Sequence, residues 1–496
     1  MKPATVNVPT GDREALIVPA IGTLTKLVRD NAERLAGCDF AQTRDAAREQ
    51  IMSAAREYTA SLGVAAAAWD GEPIVMTGHQ PEFTHPGVWI KNHLCARLAR
   101  ALGAVGLNLV VDGDVPREGE LTFPAHAHGA FTSHGVHFAR TDSTRAWEEH
   151  TDKSSWQFDH LASEVKDLLP VSDASLIIER FMEGVGECMT QAVDIAHLMT
   201  LLRRRYEEKI GLGNLEVPAS VMCETRAWTS FVEAIAADTR RFATVYNEAV
   251  AEYRRVNAVR SSSHPVPDLA IDDEHVELPF WVWTPGGERE RLYADDARAG
   301  RKVRPRALSN TIFCRLFLSD VFIHGVGGAK YDTITDRIIR EYFGVEPPGF
   351  ITASATVYLP IDVEASKQED IRRLRWELRD CVYNADRHMP TELRRSARAE
   401  ALVTEKRKLV SRNRHLRKTG GAQTHRERRD LFGKIRTHNA EMTQLIDDRL
   451  AELKEELTRV EHHLGDRDIV QQRGYAFVLY PEEMLLGFYD EAIQFD

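Results

Sequence analysis

No stretch of this 496-residue chain approaches the roughly 18 to 20 consecutive apolar residues that a spanning helix needs, so none is predicted. The opening MKPATVNVPTGDREALIVPA has one lysine but neither a continuous apolar segment nor a small-residue cleavage signature, so no secretory leader is expected and a soluble, cytoplasmic protein is the default. Cysteine is scarce. Cys38, Cys95, Cys188, Cys223, Cys314 and Cys381 lie far apart, never at the two-residue separation with which paired thiolates grip zinc, and they read as reduced core residues. Neither charge sign is in large excess: 64 Lys and Arg face 75 Asp and Glu, a net charge of −11, which argues against whole-protein attraction to nucleic acid or an anionic membrane. What the chain does have is core material, 43% hydrophobic residues over a length that suggests about three domains.

Charge is polarised along the chain. Between Glu364 and Leu464 there are 24 Lys and Arg against 18 Asp and Glu, with little Gly or Pro. Leu431, Ile435, Met442, Leu445, Leu450, Leu453, Leu457, Val460 and Leu464 recur at coiled-coil spacing. Two long helices folded back at Thr419-Gly420-Gly421 are predicted, their seam covered by the first helix or by a second subunit. The basic portion, Asp386 to Arg436, has no interleaved aromatics for base stacking, so solvated helix surface is favoured over RNA contact.

Upstream, strand-like and helix-like segments alternate, the pattern of an α/β domain with a parallel sheet. Residues 20–65 read as a helical lead-in, Ile74–Thr77 as a buried strand, Gly87–Leu102 as an amphipathic helix and Leu107–Val111 as the next strand. A right-handed βαβ unit brings Thr77-Gly78-His79-Gln80 and Asp112-Gly113-Asp114 to one sheet edge, where open α/β sheets bind ligands. In TGHQPEFTHPG, Pro86 can open the helix, glycines permit close approach, and protonated His79 and His85 can donate to a phosphate or carboxylate.

A second constellation follows. Phe322-Ile323-His324 reads as a strand end, Gly325 to Lys330 as a flexible glycine turn, Tyr331–Phe343 as a helix and Ile351–Leu359 as a strand. Strand, glycine turn and helix make an anion cradle, with Lys330 as point charge; the GK[ST] ending of a phosphate-binding P-loop is absent. The two loops are expected to face one cleft. Between them, Ser230–Arg255 reads as a helix and Phe280–Tyr293 as a β-hairpin, with Trp281 and Trp283 assigned to the core. His126, His128, His134 and His137 cluster, but no metal site is assigned to them.

The order VMTGHQPEFTHPGVW, LVVDGDVP, RPRALSNTIF…DVFIHGVGGAKYD, a helical hairpin and RGYAFVLYPEEMLLGFYD resembles the cysteine-adding enzyme family of bacillithiol biosynthesis (BshC) as scattered motifs over most of the chain. The resemblance implies a Rossmann-like core of the class I nucleotidyltransferase and aminoacyl-tRNA-synthetase type and a coiled coil that can mediate a homodimer. It also implies ligation of cysteine to an amino-sugar conjugate. The family shows TGQQ where this chain has Thr77-Gly78-His79-Gln80, and an EDHD-type segment where it has Asp112-Gly113-Asp114. A family GGPGE is here Gly327-Gly328-Ala329-Lys330, a lysine in place of an acid.

The resulting expectation is an α/β protein in four parts: a helical lead-in over 1–70, a core over 71–363 with an inserted region at about 140–300, an antiparallel coiled-coil arm over 364–465, and a return segment over 466–496. Its expected activity is ATP-dependent ligation of an amino acid, cysteine among the candidates, to a small amine-bearing metabolite, with Mg2+ as an optional companion. His79 and His85 would stabilise phosphate charge and Asp112 or Asp114 would hold the amine or the magnesium ion. Substrate or nucleotide would be bound by Thr77, Gly78, Gln80, Arg304, Asn310, His324, Gly325, Gly327, Gly328, Lys330 and Tyr331. The alternative is a non-catalytic scaffold whose basic coiled coil binds a protein or RNA partner.

Overall fold

The computed structural model describes residues 7–117, 119–127, 130–171, 174–272, 275–364, 367–420 and 424–495. Among these described residues eleven strands follow one another: β1 Glu14–Val18, β2 Ile74–His79, β3 Val105–Val110, β4 Glu120–Ala127, β5 Ala130–His137, β6 Leu215–Pro218, β7 Glu277–Trp283, β8 Glu290–Tyr293, β9 Lys302–Pro305, β10 Val321–His324 and β11 Ile351–Thr356. Six form one sheet in the order β1-β11-β10-β2-β3-β6. Neighbouring strands from β11 through β6 pair in parallel, and β1 closes one edge antiparallel to β11. Taken in chain order, the parallel strands start at β2, grow outward through β3 and β6, then return to the other side of β2 with β10 and β11. The direction of growth therefore reverses between β2 and β10, and the crevice outside their carboxyl ends is where such sheets bind ligands.

Burial on both faces explains the composition of the central strands. Ile74, Val75, Met76, Leu107, Leu109 and Ile323 are fully covered, the continuous apolar pattern expected of parallel strands under helices. One core joins the sheet to the helices Ala41–Ser61, Arg226–Ala237 and Thr239–Val256, with Met52, Phe231 and Phe242 among its members. The continuous helix expected over Ser230–Arg255 is broken at Asp238, a non-helical turn residue between the last two. A buried carboxylate fastens the amino ends of the two strands that frame the crevice. Asp320 accepts hydrogen bonds from Arg44 at 2.9 Å, Arg48 at 3.1 Å and the Ile74 amide at 2.7 Å.

The Pro86–Leu102 helix starts where local chemistry predicts: His85 is its N-cap, Pro86 its first residue, and His85 Nδ1 accepts the Gly87 amide at 3.0 Å. The return segment packs on this helix. Phe477 stacks on Trp89 with ring centres 4.0 Å apart, the Phe477 amide donates to Thr84 O at 2.7 Å, and Tyr489 donates to Pro86 O at 2.8 Å.

The chain divides into two compact units, residues 1–125, 133–360 and 472–496 in one, and 126–132 with 361–471 in the other. In the second unit the expected pair of long helices is four: Gln368–Tyr383, Ala397–Thr419, Thr424–Gln444 and Asp447–Val470. Pro390 and short turns interrupt what was expected as one first helix, because proline cannot continue the hydrogen-bond ladder. Gly421 of the expected reversal lies outside the described residues. The seam is covered within the chain: Met442, Ile446, Leu450 and Leu453 share a core with Leu374, Cys381, Ala399 and Val403. Among the described residues no helix is long and apolar enough to cross a membrane.

Candidate functional site

A cleft of about 710 Å³ opens at the carboxyl ends of β2 and β10. Gly78, His79, Gln80, His85, Gly87 and Val88 form one side; His324, Gly325, Val326, Gly327, Gly328 and Lys330 form the other. Two stretches some two hundred and fifty positions apart in sequence thus line one hollow. The glycine segment differs from the expected flexible turn. Gly325 is the N-cap of a helix, Val326–Tyr342, so Gly327 and Gly328 occupy its first turn and offer unpaired amides rather than a wrapping loop, while Lys330, past that turn, contributes its side chain.

The cleft is electropositive. Lys91, Arg289, Arg306, Lys330 and Arg473 line it, and Asp114 is the one acid among the described lining residues. Lys91 is buried, 4% exposed, and its ammonium donates to Gly78 O at 2.8 Å. Among the described residues no carboxylate lies within ion-pair distance of it, and burial lowers its pKa to about 8. Arg473 donates to Ser354 Oγ at 3.1 Å and Ala355 O at 2.9 Å, and burial lowers its pKa too. Gly87 makes this approach possible, since a Cβ there would stand 2.2 Å from Ala355 O and 2.7 Å from the Arg473 guanidinium.

The two loop histidines are neutral. Burial, then Lys91, lowers His79 to about 3; burial, then Arg473 and Lys91, lowers His85 to about 4. Neither supplies the positive charge expected of it. His85 Nδ1 accepts the Gly87 amide, so its Nε2 carries the proton and remains a neutral donor. His79 Nδ1 lies 3.3 Å from Gln80 O, a contact that needs the proton on Nδ1 and leaves Nε2 as an acceptor.

Asp114 joins three segments, accepting Gln80 Nε2 at 2.9 Å, Arg289 Nη1 at 2.7 Å and the Val115 amide at 2.9 Å. Burial pushes its carboxyl up, but the hydrogen bonds from Gln80 and Arg289 outweigh that and hold it below the usual range. Trp281, assigned to the core on its sequence pattern, lines the cleft, with the guanidinium groups of Arg289 and Arg306 each 4.2 Å from its ring centre. Trp283 is buried as expected.

Four of the predicted residues are used elsewhere. Asp112 is 4% exposed and accepts the Ser220 amide at 2.9 Å and the Ser220 hydroxyl, fixing the turn after β6; burial and the nearby Glu148 raise its pKa to about 7. Arg304 is spent on Glu148, with Nε to Oε1 at 2.7 Å. Thr77 is buried and donates to Ile323 O at 3.1 Å, tying β2 to β10. The Tyr331 ring packs against Tyr253 and His264, away from the lining. Asn310 does line the cleft.

Lys91, Arg289, Arg306 and Arg473 were not singled out from sequence. Lys91 alone left a signal, as a charge inside the apolar run VWIKNHLCARL. Among the described residues no group of three or more His, Cys, Asp and Glu could hold a metal ion; His128 lies outside them, and His134 pairs with Glu164 at 3.2 Å. With Asp114 as the one carboxylate among the described lining residues, and that one paired with Arg289, the cleft does not fit a protein-held Mg2+. No family and no curated protein matches the chain.

Proposed function

We propose that this chain is an ATP-dependent ligase or transferase with a Rossmann-like core that activates an amino acid carboxyl group and passes it to a small amine-bearing metabolite, as its resemblance to the cysteine-adding family implies. The observation that carries this reading is Lys91: a buried ammonium without an acid among the described residues, in a cleft whose Arg289 and Arg306 are paired with Asp114 and Glu277 while Lys91, Lys330 and Arg473 have no ion-pair partner there. A buried charge held so is a site for a ligand anion, because its burial is compensated only when an opposite charge arrives. The Val326 helix N-terminus flanks the same space with unpaired amides that favour phosphate, and the Pro86 helix adds the positive end of its dipole, its Gly87 and Val88 amides being taken by His85.

In this reading the phosphates lie against Lys91, Arg473 and the first turn of the Pro86 helix. His85 donates a neutral Nε2–H to charge that develops on phosphate, and the first turn of the Val326 helix with Lys330 receives a second anionic group. Asp114 is the acid available to an incoming amine. Preorganised charge, not a covalent enzyme intermediate, supplies the catalysis, since Cys95, Cys223 and Cys314 are buried thiols whose pKa values burial raises.

The deciding experiment is ATP–pyrophosphate exchange and ADP or AMP release across the twenty amino acids. Amino-acid-dependent turnover that Lys91→Met abolishes is expected; no turnover with any amino acid and acceptor would overturn the proposal.

A further inference from the structure

One group in the cleft wall has no part in holding the anions. His324, the last residue of β10, is buried, and its Nε2 lies 2.9 Å from Asp332 Oδ2, at ion-pair distance but off the line of a well-aligned hydrogen bond. Asp332 sits in the second turn of the Val326 helix, itself buried, and Arg315 Nη1 donates to the same oxygen at 2.7 Å. Phe322 and Phe350 stand beside the imidazole, with ring centres 4.6 and 5.2 Å away, and keep it from turning. A carboxylate oxygen only accepts, so the ring nitrogen that faces it carries the proton and Nδ1 keeps its lone pair.

Nothing among the described residues hydrogen-bonds to that Nδ1. Gly328 passes beside it in the first turn of the helix, and a Cβ there would stand 3.0 Å from Nδ1. Both residues line the cleft, so the missing side chain leaves a bare basic nitrogen at its wall. Arg315 also pairs with Asp336 at 2.8 Å, and the Val326 helix carries in addition the exposed Lys330 and, further along, Arg337, Arg340 and Glu341.

We propose that His324 is the general base of the transfer step, with Asp332 as its positioning residue; this rests on the reading of the cleft as a site of ATP-driven carboxyl activation. The amine nitrogen bonds to the activated carbonyl carbon while the bond from that carbon to the phosphate oxygen breaks. The electron pair leaves with the phosphate, and the proton shed by the nitrogen passes to His324 Nδ1 and on to solvent. His85 cannot take this part, because its Nδ1 already accepts the Gly87 amide and its Nε2 holds the proton.

The test compares two acceptors with ATP and cysteine: hydroxylamine, already unprotonated at neutral pH, and D-glucosamine, which must lose a proton. In His324→Gln the ratio of glucosamine acylation to cysteinyl hydroxamate formation should fall at least tenfold, the low side of the roughly 10²–10⁴ that general bases contribute. Equal loss with both acceptors, or no loss with glucosamine, overturns the proposal. A wild type that makes no hydroxamate with any amino acid overturns the reading of the cleft instead. In that case, or if glucosamine is not acylated, histidine side-chain ¹⁵N–¹H correlation spectra decide. His324 should be the Nε2–H tautomer, shifting toward Nδ1–H in Asp332→Asn; an Nδ1–H wild type, or no shift, overturns the pairing.

Discussion

Lys91 Nζ donates a 2.8 Å hydrogen bond to the Gly78 carbonyl oxygen, and that neutral acceptor is all the described protein offers its charge. The lysine comes from the second turn of the Pro86 helix and the carbonyl from β2, so a backbone that ends a strand holds an ammonium at the mouth of the cleft. Such a group is costly in the empty protein and useful in the loaded one.

Replacing it separates the two effects. Lys91→Met should weaken ATP binding by ten- to a hundredfold, the equivalent of a charge-assisted contact worth about 1.5–3 kcal/mol, while leaving the fold as stable as before or more so. Calorimetric titration with ATP and a thermal melt read the two sides.

The same lysine sets a pH dependence. Its pKa is about 8 when folded and 10.5 unfolded, so below pH 8 the folded chain carries a penalty for the buried charge, relieved as pH rises from 8 to 10.5. Anion binding runs the other way and should weaken above about pH 8, where Lys91 loses its proton. Lys91→Arg should flatten that step in an ATP-binding profile.

His79 and His85 act on the acid side. Their folded pKa values, about 3 and 4, lie below the ordinary 6.5, so as pH falls through 6.5 toward 4 the unfolded chain takes up protons the folded chain refuses, and stability is lost. His85→Asn keeps an N-cap acceptor and should reduce this acid sensitivity, whereas His85→Ala should also lose about 1 kcal/mol of helix capping. Urea denaturation at pH 7 and pH 5 distinguishes them.

Asp112 and Arg304 should behave as structural residues. Arg304→Ala takes the closest guanidinium from the Glu148 carboxylate, whose side chain is 6% exposed and which keeps Lys302 at 2.8 Å, and should cost about 1.5–3 kcal/mol. Asp112→Ala strands the Ser220 donors and should cost about 1–3 kcal/mol. ATP affinity of whatever folded protein remains should be near that of the wild type in both.

In the helical unit, Leu453 is fully buried in the shared core. Leu453→Ala should destabilise that unit by about 2–5 kcal/mol, read as a lower-temperature transition in the far-ultraviolet melt.

Much of the frame was legible in the sequence, because it depends on neighbours along the chain. The apolar run of β2, the 3.6-residue period after Gly87, the His85-Pro86-Gly87 start and the strand end at His324 are local, and the structure has each of them within a residue or two. A glycine-rich segment was ambiguous for the same reason: Gly325 to Lys330 can form a loop or open a helix, and only packing of Val326 and Ala329 under the sheet selects the helix.

What tertiary structure decided was which polar groups meet and in which charge state. Arg304 and Asp112 are drawn from the ligand space by Glu148 and Ser220, partners more than a hundred positions away, while Arg473 is carried into it by a return segment nearly four hundred residues beyond Lys91. Burial, a property no single residue type carries, then neutralises His79 and His85 and leaves Lys91 charged without an acid. Strand and helix follow from the chain's own order; pairing and ionisation follow from the dielectric and the company that folding imposes.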